Sequence, residues 1–205
     1  MISRPSHIPR LEFIVPAAAT KKYTTLLQSG IWEEISASTT VGEFLACLPG
    51  FTPQYIREHI ETIFLNGLPV DDLETTINGP SPVLAISAAM PGLAGAIFRK
   101  NSFHAALRTA PSLSSPARMP SGEKIMIRLK FFNTIACEKG TAILNNGCLL
   151  SSDSVLKFIT YRRQLFSDLL SLRCDNKPVG LDDLESLLHP SKTVFLRIQE
   201  ENACI

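Results

Sequence analysis

The sequence has no C-x-x-C pair, no H-x-x-x-H pair and no G-x-x-x-x-G-K-[ST] loop. These absences remove the local signatures of a zinc site, a thioredoxin-like redox pair and a phosphate loop. Charge of one sign is also missing: 20 basic against 19 acidic side chains leave a net +1 over 205 residues. No global field attracts nucleic acid, and no nucleic-acid partner is expected without a local patch. Five cysteines, Cys47, Cys137, Cys148, Cys174 and Cys204, are odd in number and scattered. A disulfide framework is normally even and dense, so these read as reduced thiols of a cytoplasmic protein.

A long apolar run is missing as well. Residues 75–98 carry no charge, but their apolar part, 83–98, is interrupted by Pro91 and Gly92. A spanning helix needs about 20 apolar residues, so this run reads as a buried strand followed by a packed loop, with no membrane span. The first twenty residues have early arginines but no apolar core, since Pro9, Arg10, Glu12 and Pro16 break it up, and no signal peptide is expected. Cys204 stands next to last, so the tail is no prenylation box.

What is present is the composition of a foldable globular protein, 45% hydrophobic and 19% charged, and the apolar patterns along it predict an α+β fold. Residues 11–15 (LEFIV) form a short apolar run that predicts a strand, ended by Pro16. Tyr23, Leu26 and Leu27 fall at helical spacing before Gly30, and Ile31 and Ile35 suggest a second strand. Thr40 and Glu43 have capping-box spacing ahead of an apolar stripe of Val41, Phe44, Leu45 and Leu48. Thr52 with Pro53 predicts another helix start, with Ile56 and Ile60 on its buried side. Asn66 and Gly67 predict a tight turn between two strands. From 108 to 123 the composition turns to Pro and Ser, as in a linker, before the strong strand pattern of 125–131. Asp153 or Ser154 is the expected cap of a helix carrying Val155, Phe158 and Ile159.

The two halves repeat. Gly30 corresponds to Gly147, Phe44 to Phe158, and Pro69 with Val70 to Pro178 with Val179. Asp71, Asp72 and Glu74 correspond to Asp182, Asp183 and Glu185, and 83–86 to 194–197. The order is the same throughout 11–88 and 125–199, which points to duplication. The expected division is a first unit at 1–107 with a Gly-rich extension at 91–107, a linker at 108–123 and a second unit at 124–205. The doubled carboxylates are expected to cap a short helical turn rather than perform acid–base chemistry.

The repeated order of strand, helix, strand, helix, strand, turn and strand resembles the β-grasp (ubiquitin-like) arrangement of small sulfur carriers, such as the molybdopterin synthase small subunit and the thiamine-pathway carrier. TVGEFL, IFLNGLPV and VLAISAAMPG carry the resemblance in the first half; IMIRLKFFNTIACEKG and the closing LRCDNKPV and TVFLRI carry it in the second. The resemblance implies two β-grasp units in tandem, each sheet packed with helices. The AAMPGLAGAIFRK run is similar to one in an uncharacterised group of bacterial proteins, which implies a prokaryotic cytoplasmic origin and no mechanism. A carrier must end in glycine so that its carboxylate can be adenylated. Here Gly92 is followed by Leu93 and the whole second half, and the second copy ends without glycine. Neither copy performs that chemistry without cleavage after Gly92.

The expected function is therefore a non-enzymatic protein-interaction or adaptor module, with a sulfur-carrier precursor as the competing reading. Residues 91–108 are an insertion absent from the second copy, and the expected site comprises Met90, Pro91, Gly92, Gly95, Arg99 and Lys100. Gly92 and Gly95 would let a partner's backbone approach, and Arg99, Lys100 and Arg108 would meet an anion. Ser102 is placed to cap a short helix from Phe103. Cys47 and Cys174 stand among apolar neighbours and read as buried thiols. No catalytic residue, cofactor or metal is expected, and the expected partner is another protein.

Overall fold

The computed structural model describes residues 7–108 and 123–201; the expected linker, except at its two ends, and Cys204 lie outside the described residues. Strands are β1 (Arg10–Val15), β2 (Ile31–Ser36), β3 (Thr62–Leu65), β4 (Leu68–Pro69), β5 (Val83–Ser87), β6 (Lys124–Phe132), β7 (Cys148–Ser151), β8 (Ser171–Cys174), β9 (Lys177–Pro178) and β10 (Thr193–Glu200). The α-helices are α1 (Val41–Ala46), α2 (Pro53–Glu58), α3 (Gly92–Phe98), α4 (Asn133–Asn146), α5 (Ser152–Tyr161) and α6 (Leu184–Leu188). The fold class is α+β with mixed strand pairing.

Contacts divide the chain into two compact units that do not follow the two sequence halves. A middle unit is continuous, Trp32–Lys139; a terminal unit combines the described residues of Met1–Ile31 and Gly140–Ile205. The boundary at 139/140 falls inside α4. Strand β1 thus lies with the second half's strands and β6 with the first half's, where the repeat alone predicts each half to be self-contained. The reason is pairing: β6 is bonded in parallel to β5, and β1 in parallel to β10.

In the middle unit the strand order is β4-β3-β5-β6-β2. β3 pairs antiparallel with β5, and β5 parallel with β6, Ala85 opposite Lys130. Alternation on β6 sends Ile125, Ile127, Leu129 and Phe131 inward, each at most 6% exposed. The buried residues of α1 and α2 are Val41, Phe44, Leu45 and Ile56, and Phe51, between those helices, lies 6.1 Å from Phe131 between ring centroids. The expected caps form. Thr40 accepts from the Glu43 N–H at 3.2 Å while the Glu43 carboxylate accepts from the Thr40 N–H at 2.8 Å, and Thr52 accepts from the Tyr55 N–H at 3.1 Å. Asn66 and Gly67 both take positive φ in the β3–β4 turn, and the Asn66 side chain accepts from the Val83 N–H at 2.8 Å.

In the terminal unit the order is β7-β10-β1-β8-β9. Here β1 pairs antiparallel with β8 as well as parallel with β10. Leu11, Phe13 and Val15 are essentially inaccessible and pack beneath a 3-10 helix, Thr20–Ser29, where Tyr23 contacts Phe13, Phe158 and Phe166. The hydroxyl of Tyr23 donates to the Leu165 carbonyl at 2.8 Å. Helical spacing therefore foresees the buried face of this segment but not its tighter winding. The cap of α5 is Ser151, which accepts from the Ser154 N–H, rather than Asp153 or Ser154. The second doubled carboxylate does cap: Asp183 accepts from the Gly180 N–H at 2.9 Å at the start of a short helical turn. In the first half no helical turn forms at these positions: Asp72 accepts from the Glu74 N–H at 2.9 Å in a plain turn, and Asp71 has a different task described below.

The repeated glycine before β7 has a steric reason. Gly147 has φ +85°, and a Cβ built there would lie 2.2 Å from the Phe195 ring. Gly147→Ala is expected to cost roughly 2–4 kcal/mol, combining backbone strain with overpacking; urea denaturation of the variant measures it.

Candidate interaction site

The segment following β5 turns at Met90 and Pro91 into α3, passes through Arg99 and Asn101, and enters a second short helix, a 3-10 turn at Phe103–Leu107 capped by Ser102. It is a folded element of the middle unit, tied down at several points. Phe98 packs against Phe64 of β3 with ring centroids 5.3 Å apart. The Ser102 hydroxyl donates to the Ala96 carbonyl at 2.5 Å. Gly95 is needed for the fold itself, because a Cβ there would sit 1.8 Å from the Met90 carbonyl oxygen. Its missing side chain admits this chain's own backbone, not a partner's. Gly92 is different: nothing lies within 4 Å of a Cβ built on it, but its φ of +76° favours glycine.

The cations of this segment are spent inward. Arg108 is the clasp: its guanidinium forms an ion pair with Asp71 and donates to the carbonyls of Ile97 at 2.8 Å and Arg99 at 2.7 Å. Asp71 also accepts from the Asn101 N–H at 2.8 Å. Partial burial pushes the Asp71 carboxyl up, but hydrogen bonds from Arg108 and Asn101 and the Arg108 charge outweigh it, holding the group below the ordinary carboxylate range. Arg99 pairs with Glu61 at 2.7 Å. Lys100 donates from Nζ to the Ile56 carbonyl at 3.3 Å, and burial lowers its pKa against the opposing pull of Glu61. The anion site expected at Arg99, Lys100 and Arg108 thus has each of its cations engaged within the protein.

The segment leaves large apolar side chains uncovered alongside Arg99, Asn101 and His104. Phe103 is 94% exposed, Leu93 68% and Leu107 62%. Phe103 and Leu107 are four residues apart in the same short helical turn. At the start of the segment, Met90 helps wall a hollow of about 330 Å³ on the sheet, with Phe64, Ala85 and Phe132 as apolar lining. Its rim carries a polar pair, the Asn133 amide donating to the Ser87 hydroxyl at 2.8 Å. The pattern F-x-x-x-L in 103–107 is the signal from which sequence reading could have found this surface; the adjacent Arg99 and Lys100 drew attention to charge instead.

Other chemistry-bearing residues stand apart from this surface. Among the described residues no group of three His, Cys, Asp or Glu side chains is placed to hold a metal ion. Cys47 is exposed, contrary to the burial expected from its neighbours, because it lies at the C-cap of α1, past the buried stripe. Cys137 is exposed too, while Cys174 is buried and its thiol is raised by burial and by the Asp175 charge. Tyr55 donates to Glu138 at 2.6 Å, stacks on His59 at 4.6 Å and lies 3.8 Å beneath the Lys139 ammonium. Burial and the Glu138 carboxylate raise the Tyr55 hydroxyl, which therefore stays protonated and acts as a donor. No helix among the described residues is long and apolar enough to cross a membrane.

Comparison with protein-family models, curated proteins and solved structures finds no match to this chain.

Arg108→Ala removes the clasp. It is expected to increase amide hydrogen exchange across 92–107 while β5 and β6 keep their protection, at a cost of about 1–2 kcal/mol after allowance for solvent screening at half-exposed Asp71. The same segment should loosen in acid. Because the folded pKa of Asp71 is depressed, its contribution is complete above the ordinary carboxylate value and is lost as pH falls through the lower folded value. Protection factors measured down a pH series, with Asp71→Asn as the insensitive control, test the sign.

Proposed function

We propose that this protein is a non-enzymatic protein-interaction module whose contact surface is the apolar outer side of 91–107. The observation that carries this reading is the exposure of Phe103, Leu93 and Leu107 on a segment that is itself pinned by Arg108. Exposed large apolar groups on a pre-ordered element are characteristic of protein contact sites, since little ordering entropy opposes binding. The strand edges argue for the same place. β4 and β9 are two-residue strands, each containing a proline, Pro69 or Pro178, and such edges are poor templates for an added strand. Met90 and Pro91 shape the entry to the surface, Gly92 and Gly95 allow its fold, and Arg99 and Lys100 anchor it. Another protein in a cytoplasmic setting is the partner this reading calls for.

We further propose that the middle unit is a β-grasp. Its order β2-β6-β5-β3-β4 places a parallel central pair, β6 with β5, beside antiparallel β3, as that fold does, with β6 in the role of first strand. The terminal unit would be a variant in which the central pair is interchanged, β10 beside β7 and β1 beside β8.

The sulfur-carrier reading is weakened by the same pairing. β6 belongs to the sheet that a carrier would take with it, so a cut after Gly92 would not free a complete unit. Intact-mass analysis of protein from its native host tests this directly; a fragment ending at Gly92 would restore the carrier reading.

The interaction reading is tested with Phe103→Ser combined with Leu107→Ser. Both side chains are solvent-exposed, so the variant should keep the wild-type urea midpoint within about 0.5 kcal/mol. Proteins captured by the wild type from native-host extract should be absent with this variant. Recovery of the same partners by the folded double variant refutes the assignment.

A further inference from the structure

We infer that the two halves of this chain are interlocked: each is the binding partner of the other, and they remain one particle when the connection between Arg108 and Glu123 is cut. The surfaces concerned are the strand slots at the centres of the two sheets, and the occupant of each is a strand from the opposite half.

In the middle unit the occupant is β6. It is bonded to β5 from Val83 opposite Arg128 through Ser87 opposite Phe132, and β2 lies on its other side. Its inward side chains, Ile125, Ile127, Leu129 and Phe131, are buried in the core of the middle unit, where the first half supplies most of the other buried side chains and α4 adds Ile135 and Ala136. Phe51 of the first half lies 6.1 Å from Phe131 between ring centroids, and the Lys124 ammonium pairs with Glu34. The Glu123 carbonyl accepts from the Ala37 N–H at 2.6 Å, so the engagement begins at the first described residue of the second half.

In the terminal unit the occupant is β1. It is hydrogen-bonded on both edges, to β10 from Arg10 opposite Phe195 through Val15 opposite Glu200, and to β8 from Leu11 opposite Cys174 through Ile14 opposite Ser171. Chain ends add to the hold: the Arg10 guanidinium lies 4.7 Å from the Phe195 ring centroid, and Asp175 accepts from the Arg10 N–H at 3.0 Å. Withdrawing either half removes a central strand from both sheets. An unfilled slot at a sheet centre exposes two rows of unpaired backbone groups and an open core, which no local adjustment satisfies. Separation of the halves therefore requires unfolding.

A specific protease recognition sequence placed between residues 108 and 123 of the full chain tests this. After complete cleavage, size-exclusion chromatography with light scattering should give one species at the mass of the same chain before cutting, containing both fragments in equal amount, which separate only in denaturant. Elution of separate fragments under native conditions overturns the inference. A second measurement uses the uncut protein and does not depend on the inserted sequence. Trp32, the single tryptophan, lies in the first half, and Leu129 on β6 lies in the second. Leu129→Ala should lower the urea midpoint followed by Trp32 fluorescence. An unchanged Trp32 midpoint, with loss of stability confined to signals from the second half, means that the first half folds without β6 and refutes the interlock.

Discussion

Parallel pairing between strands that are far apart in sequence is the constraint on which this architecture rests. β5 with β6, and β1 with β10, form the central pairs of the two sheets. Parallel neighbours cannot be joined by a tight turn, so each pair demands a long connection. For β5 and β6 that connection includes the 91–108 segment; for β1 and β10 it includes the entire middle unit. The nesting of one unit within the chain of the other follows from these two pairings.

The candidate surface follows from the same constraint. A chain leaving β5 must travel before it re-enters as β6, and part of that route is used to build α3 and the capped turn after it. Ordering such a segment costs conformational entropy, which here is opposed by the three-way bonding of Arg108 and by Phe98 on Phe64. Arg99, Lys100 and Arg108 are each engaged with carboxylates or carbonyls of this chain, while Leu93, Phe103 and Leu107 are large apolar groups presented outward without such a partner.

Matching segments of the two sequence halves take comparable places in the strand orders, with one departure. Both sheets have a parallel central pair made of one strand from each half, and both tight turns, at Asn66 with Gly67 and at Asp175 with Asn176, use positive φ. Yet β5, from the same half as β3, is the strand beside β3, whereas in the other sheet β1, from the opposite half, is the strand beside β8. Because the central strands run parallel, exchanging their positions preserves every strand direction, so the two orders are both compatible with antiparallel outer neighbours.

Local rules sufficed for local structure. The capping box of Thr40 and Glu43, Pro53 at a helix start, the Ser102 cap and the alternation of 125–131 depend on groups within a few residues of each other, and each was legible from spacing alone. The tertiary structure decided which strands meet, that Gly95 admits Met90 rather than a partner, and that Arg108 closes on Asp71, 37 residues away. Those outcomes depend on side chains brought together across the chain. Periodicity identifies an inward-facing strand such as β6, but the hydrophobic effect is non-directional, so an apolar face alone does not say whose core it completes.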